Sequence, residues 1–224
     1  MKFFSCILCL LLINSVSNAQ FKKDHSFFKF GIKSVSVRRD NISARDDYML
    51  KPVIDLGFGI NYNLSKNLRF QPEIHYSPRG FQAKYNLTDS TYIENSLELH
   101  YFDLCPNFSY TFQGHNSLKT RLNVWGGPYL GIGIAGRNVL SGITLNKTGI
   151  KADSTFTDKS VTFNNGLNRI DYGFNVGLGI QFEQITQVGI SYSMGFNNIL
   201  TNSKFPIYNR SVGFYVIVLF DDLF

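Results

Sequence analysis

Glu73, His75 and Ser77 are the side-chain types that carry acyl transfer, and they stand at alternate positions. In an extended strand residues two apart share a face. There a histidine could take the proton of the serine hydroxyl while the carboxylate orients the imidazole. The competing reading is a polar network, in which the three groups satisfy one another on a face turned away from solvent. Two other patterns invite chemistry. Gly131-Ile132-Gly133-Ile134-Ala135-Gly136 has the spacing of a dinucleotide-binding turn, which requires a preceding strand and a helix opening on the last glycine. Here the glycines lie inside a long alternating run, and Arg137-Asn138-Val139 leads toward a loop. The histidines His25, His75, His100 and His115 fall in different segments with no ligand spacing. No cofactor, metal or catalytic site is therefore expected, and the chain is read as non-enzymatic.

The elements that must position these residues are strands. From 170 to 183, Ile170, Tyr172, Phe174, Val176, Leu178, Ile180 and Phe182 alternate with Asp171, Gly173, Asn175, Gly177, Gly179, Gln181 and Glu183. One face is apolar and the other is polar or bare backbone, the signature of a strand between two unlike environments. The pattern recurs from Ile54 to Tyr62, Leu68 to Tyr76, Phe102 to Phe112, Leu122 to Ile134, Val188 to Phe196 and Val212 to Phe220, and more roughly at Phe28, Phe30 and Ile32. That predicts eight strands, most of them near the roughly 9–11 tilted residues that cross a bilayer. The connections after the first, third and fifth strands are long, 38–51, 79–96 and 138–168. Those after the second, fourth and sixth are tight, at 64–67, 113–117 and 183–186. Strict alternation of short turns and long loops belongs to outer-membrane barrels, with the short turns periplasmic. The expectation is an all-β, antiparallel, up-and-down transmembrane barrel of eight strands in a bacterial outer membrane, with both termini periplasmic.

Targeting agrees. Met1-Lys2 precedes an apolar run ending near Ile13, and Ser17-Asn18-Ala19 supplies small residues before Gln20. This reads as a cleaved signal peptide over 1–19, with the barrel over 20–224. Of three cysteines only Cys105 would survive cleavage, so no intrachain disulfide is available. The 22 Lys and Arg against 16 Asp and Glu are scattered, which excludes a concentrated nucleic-acid surface.

A closed barrel satisfies its backbone internally, so the apolar face meets lipid and the polar face lines the lumen. With eight strands that lumen is only wide enough for side chains to fill. Arg69, Glu73, His75, Asp103, Arg121, Asp171 and Arg210 are the candidate lumen network. Pro72, Pro78, Pro106 and Pro128 fit the strands poorly and are assigned to bulges or rims. Segments 142–145 and 160–163 within the longest connection add a hairpin, read as an external extension rather than two more barrel strands.

The run Trp125-Gly126-Gly127-Pro128-Tyr129-Leu130-Gly131-Ile132-Gly133 resembles the Gly-Gly-Pro-Tyr strand of PorT-like outer-membrane β-barrel proteins. Leu97 to Phe112, Asp171 to Gly179 and Asn209-Arg210-Ser211 resemble the same pattern. The resemblance implies a small OmpA-like barrel with no agreed general activity, one branch of which is associated with type IX protein secretion. Insertion by the barrel-assembly machinery is expected. The alternation that serves as its usual signal ends at Phe220, with Asp221-Asp222-Leu223-Phe224 extra. Outer-membrane lipid A deacylases resemble the chain in one respect, a His-x-Ser on a strand, but they present it to lipid, and here the alternation turns it inward. The leading expectation is a structural or interaction component of an envelope or secretion assembly, with outer-membrane lipids around it and a protein partner at its loops. A narrow solute channel and a lipid-modifying hydrolase are the alternatives.

Overall fold

The computed structural model describes residues 22–39, 46–86, 91–112, 120–145, 151–160, 163, 166–182, 185–201 and 206–220. The leader expected over 1–19, the connection 113–117 and the terminal Asp221-Asp222-Leu223-Phe224 lie outside them. Ten strands are present among these residues: β1 (Lys22–Arg39), β2 (Asp46–Met49), β3 (Lys51–Asn63), β4 (Leu68–Asn86), β5 (Thr91–Phe112), β6 (Thr120–Leu145), β7 (Lys151–Ser160), β8 (Ile170–Phe182), β9 (Thr186–Asn198) and β10 (Ile207–Phe220).

Eight of them close a ring. β1 pairs with β3 and β10, and the circuit runs on through β4, β5, β6, β8 and β9, every neighbour antiparallel. Closure leaves no sheet edge exposed to hydrocarbon. The outward face is the apolar one, as in β8, where Ile170, Tyr172, Phe174, Val176, Leu178, Ile180 and Phe182 are all exposed. At the short-turn end the amides of Leu64 and Ser65 both donate to Leu68 O, and the Ile185 amide ties the connection between β8 and β9 to Phe182 O at 3.0 Å.

The long-loop end departs from the expected loops. Segment 79–96 is mostly strand: β4 and β5 remain paired from Arg79↔Leu99 to Asn86↔Tyr92. β6 likewise runs on to Leu145, and β7 returns along it from Leu145↔Lys151 to Arg137↔Ser160. β2 pairs with the same extension of β4, Asp46↔Tyr85 to Met49↔Gln82. The 138–168 segment therefore extends the wall and leaves the ring at eight. β2, β4, β5, β6 and β7 form a tall curved flank above the rest of the barrel.

The prolines sit deeper than rims. Pro72 faces Pro106 inside the β4–β5 pairing, toward its short-turn end. Pro106 and Pro128 both fall in the stretch between Leu104↔Leu130 and Phe108↔Gly126, where β5 and β6 keep their register but form no paired residues. Because proline has no amide hydrogen, several such residues at one height lie where the ladder is already broken. Above them, Gly80 adopts φ 134°, and a Cβ there would run into the Leu97 carbonyl. This is a backbone kink that only glycine accommodates without strain.

Candidate functional site

The inward face of the strands carries two polar clusters stacked in the lumen. In the first, β1 supplies Lys29 and Lys33, β3 supplies Asp55, and β4 supplies Glu73, His75 and Ser77. Lys29 Nζ lies 3.1 Å from Glu73 Oε2, and Lys33 Nζ lies 2.7 Å from Asp55 Oδ1. His75 bridges the two carboxylates, with Nε2 2.5 Å from Glu73 Oε2 and Nδ1 3.5 Å from Asp55 Oδ2. Asn107 donates its amide to Glu73 Oε1 at 2.8 Å, and Lys33 donates to Ser77 Oγ at 3.1 Å. The Lys29 ammonium also stands 3.8 Å from the centre of the Trp125 ring, a favourable approach of a cation to an aromatic face. Trp125 in turn donates its indole N–H to Tyr215 OH at 2.8 Å. Two ammonium groups thus meet two carboxylates with their remaining donors and acceptors largely engaged, the arrangement buried charges require.

The second cluster lies toward the long-loop end and turns on Arg79. Its guanidinium pairs with Asp103 and donates to Asp171 Oδ2 at 2.9 Å. It stacks between the rings of Tyr101 and Tyr129, each 4.6 Å away. Tyr129 OH and the Asn209 amide add donors to Asp171 at 3.2 and 2.8 Å.

Glycines make room for these side chains. The Trp125 indole occupies the space a Cβ at Gly177 would need, and the His75 ring does the same at Gly57. The glycines of the Gly131–Gly136 run lie within β6, with no helix after them. Gly131 faces Asp103 and Arg79, and Gly133 faces the ring of Phe163.

Above Arg79 the lumen is closed by an apolar cap. Val37, Phe81, Ala83, Leu97, Leu99, Tyr101, Phe163, Leu167, Ile199 and Ile207 pack together there. Phe163 meets Tyr101 edge-on with ring centroids 5.5 Å apart. The segment carrying Leu167 is tied down by backbone bonds, Asn168 N to Ile199 O at 2.8 Å and Thr201 N to Gly166 O at 2.9 Å.

Of the residues expected in the lumen, the structure brings Glu73 and His75 into the first cluster and Asp103 and Asp171 into the second. Arg69 and Arg121 stand lower, at the short-turn mouth, where with His25, Lys66 and Gln181 they line a cavity of about 390 Å³. Arg210 is a correction. It is exposed on the outer face and donates from Nε to Ser36 Oγ at 2.9 Å. Its position has the same parity as Val212 and Phe214, so the alternation itself sends it outward. Lys29, Lys33 and Asp55 were visible on the polar faces of their strands but stood outside the expected network. Arg79 was missed because it was placed in a loop. The signal that would have found it is the same-face series Glu73, His75, Ser77, Arg79 in unbroken period two. His75 and Ser77 do face inward, and Ser77 is 2% exposed, with its hydroxyl held by Lys33.

No curated protein sequence matches the chain. Among solved structures it is similar to Neisserial surface protein A, at 11% identity and a TM-score of 0.43, with 89% of this chain and 99% of that one covered. It is also similar to Ail, the attachment invasion locus protein of Yersinia pestis, at 10% identity and a TM-score of 0.42 over 89% and 100% of the two chains. The N-terminal β-barrel domain of Pseudomonas aeruginosa OprF follows at 13% identity, TM-score 0.30 and 89% and 100% coverage. The sequence itself matches the outer membrane protein beta-barrel domain over residues 18–201, most of the chain. With its lipid-facing apolar wall, closed ring and polar interior, the chain belongs to that family of bacterial outer-membrane β-barrel proteins.

Proposed function

We propose that this barrel is a non-enzymatic, membrane-embedded interaction component of the cell envelope, working through the tall flank formed by β2, β4, β5, β6 and β7. The observation that carries this reading is the filled lumen. Two ion-pair clusters and an apolar cap occupy it at successive heights, so what distinguishes this barrel lies on its outside and at its long-loop end. The alternation of tight and long connections supports placing the long-loop end outside the cell and both termini in the periplasm. The resemblance of Trp125–Gly133 to PorT-like barrels suits a role within an assembly, though such a role rests on analogy of fold.

A cross-linked pull-down from intact cells, with an affinity tag in the connection 146–150, tests the proposal. Recovery of one stoichiometric envelope protein is the expected result. No partner from a correctly folded, tagged barrel would count against it. In a planar bilayer the purified protein is expected not to conduct, and steady single-channel steps would favour the narrow-channel reading instead. The hydrolase reading has its own test: Ser77→Ala leaves the acyl pattern of lipid A unchanged by mass spectrometry, and an altered pattern would reverse the assignment.

A further inference from the structure

At the short-turn end the mouth of the lumen is a cup of about 390 Å³, lined by Lys66, Arg69, Arg121 and Gln181 with His25 and Asn63 beside them. Its floor is closed. The same-face neighbours two positions deeper, Phe27 after His25, Asn61 before Asn63, Gln71 after Arg69 and Asn123 after Arg121, are all buried. Gln71 donates its amide to Asn61 Oδ1 at 2.6 Å across that floor. The charge of the cup is one-sided, since no carboxylate lines it among the described residues. Arg69 and His25 have further interactions of their own, whereas Lys66 and Arg121 form no ion pair among the described residues. Lys66 is carried by the tight turn between β3 and β4, in which the Leu68 amide donates to Ser65 Oγ at 3.2 Å. Gln181 is 2% exposed, and its Oε1 has no hydrogen-bond partner among the described residues. A buried amide left unmatched is costly, and by turning over it can offer a guest either its acceptor or its N–H donors. Asn63 on β3 and Gln181 on β8 stand four strands apart in the ring of eight, directly across the mouth. Polar groups thus converge on the cup from opposite walls.

We propose that this cup is a binding site for the phosphate monoester of a water-soluble ligand, held by Lys66, Arg121 and the amide of Gln181. A phosphate monoester carries close to two negative charges near neutral pH and three acceptor oxygens directed to different sides, which suits donors arriving from separate walls. A single carboxylate offers two coplanar oxygens and would engage one wall. The Arg121 fork and the Lys66 ammonium are both established types of phosphate ligand. Because the lining residues face inward, the ring wall separates the cup from the acyl chains of surrounding lipid. The site lies at the end of the barrel opposite the tall flank and does not depend on the partner proposed above.

The test is calorimetric titration of the full chain, folded in a non-ionic detergent at low salt, with glycerol phosphate, glycerol and succinate. Glycerol phosphate is expected to bind saturably at one site, about tenfold more tightly than succinate, and glycerol not at all. K66Q and R121Q should each weaken glycerol phosphate about tenfold, while K51Q, at the far end of β3, leaves it unchanged. Lys66 lies in an exposed turn, so K66Q keeps the heat-modifiable migration of a folded barrel and carries the test alone if R121Q does not fold. Phosphatidic acid in the same micelles is expected not to compete. Failure of wild-type protein to bind glycerol phosphate would overturn the site, as would wild-type affinity in K66Q. Succinate binding as tightly as glycerol phosphate would overturn the phosphoryl assignment, and competition by phosphatidic acid would place the binding at the lipid surface and overturn the cup.

Discussion

The lower and upper parts of the barrel are built on the same strands with largely opposite chemistry, although Phe27, Trp125, Tyr215, Ile217 and Leu219 form an apolar patch inside the lower lumen. In β5 the inward residues Asp103, Asn107, Ser109 and Thr111 are polar, and the outward Phe102, Leu104, Phe108, Tyr110 and Phe112 are apolar. A few residues toward the long-loop end, the inward Leu97, Leu99 and Tyr101 join the apolar cap, and the outward Glu94, Glu98 and His100 are polar. β4 inverts in the same way, from inward Glu73, His75 and Arg79 to inward Phe81 and Ala83, while its outward face changes from Ile74 to Gln82 and Lys84. β1 inverts between Lys33 and Val35. The side-chain period does not change; what changes is the solvent outside. In hydrocarbon the apolar residues must face out and the polar ones must satisfy each other within. In water the ordinary arrangement of a soluble protein returns. The inversion therefore marks where the membrane ends.

If that comparison holds, the polar lower lumen is vulnerable to loss of charge partners. Arg79→Ala leaves Asp103 and Asp171 buried without their cation and should destabilise the folded barrel by about 3–5 kcal/mol, read from equilibrium unfolding in lipid. A neutral effect would mean that water or another cation reaches the second cluster.

The outer wall is vulnerable to the reverse change. Leu178→Arg, near the middle of the apolar band, is expected to cost about 2–4 kcal/mol in the same assay. A variant as stable as wild type would refute the assignment of that face to lipid.

The cap should respond as an ordinary apolar core. Phe163→Ala removes the ring that covers Gly133 and Tyr101, with an expected loss of about 3 kcal/mol, the low end for truncating a buried phenylalanine. The loss should be local. Amide exchange should quicken at 166–169 and 199–201 while the band strands stay protected, and uniform quickening would mean that cap and band unfold as one unit.

The smallest effect belongs to the polar outer surface of the upper part. Glu98 lies above the apolar band, where a hydrogen bond from Lys51 at 2.7 Å, opposed by partial burial, holds its carboxyl below the ordinary range. A lowered carboxyl contributes stability that is present above its unfolded-state value, 4.5, and is lost as pH falls through the lower folded-state value. Glu98→Gln should flatten the acid limb of the stability curve by at most about 1 kcal/mol, since the pair is partly exposed. A larger change would show that the flank is more deeply covered than its surface suggests.

The sequence by itself determined the closed eight-strand ring and which face of each strand meets lipid. Period-two alternation between unlike faces is a local property, and it was legible from Ile170 to Phe182 without any knowledge of neighbours. It also marked Glu73, His75, Asp103 and Asp171 as inward. The tall flank was not legible, because Arg79 to Tyr85 and Leu97 to Tyr101 keep their period while exchanging polarity, and their polar outward residues read as a loop. Only the tertiary structure decided which charges meet. Lys29 and Glu73, or Arg79 and Asp171, lie 44 and 92 residues apart, and their pairing follows from register and strand tilt around the closed ring. The cap was undecided for the same reason: Phe163 and Leu167 gain their burial from Tyr101 on β5 and Ile199 just past the end of β9, a contact that exists only once the wall has closed.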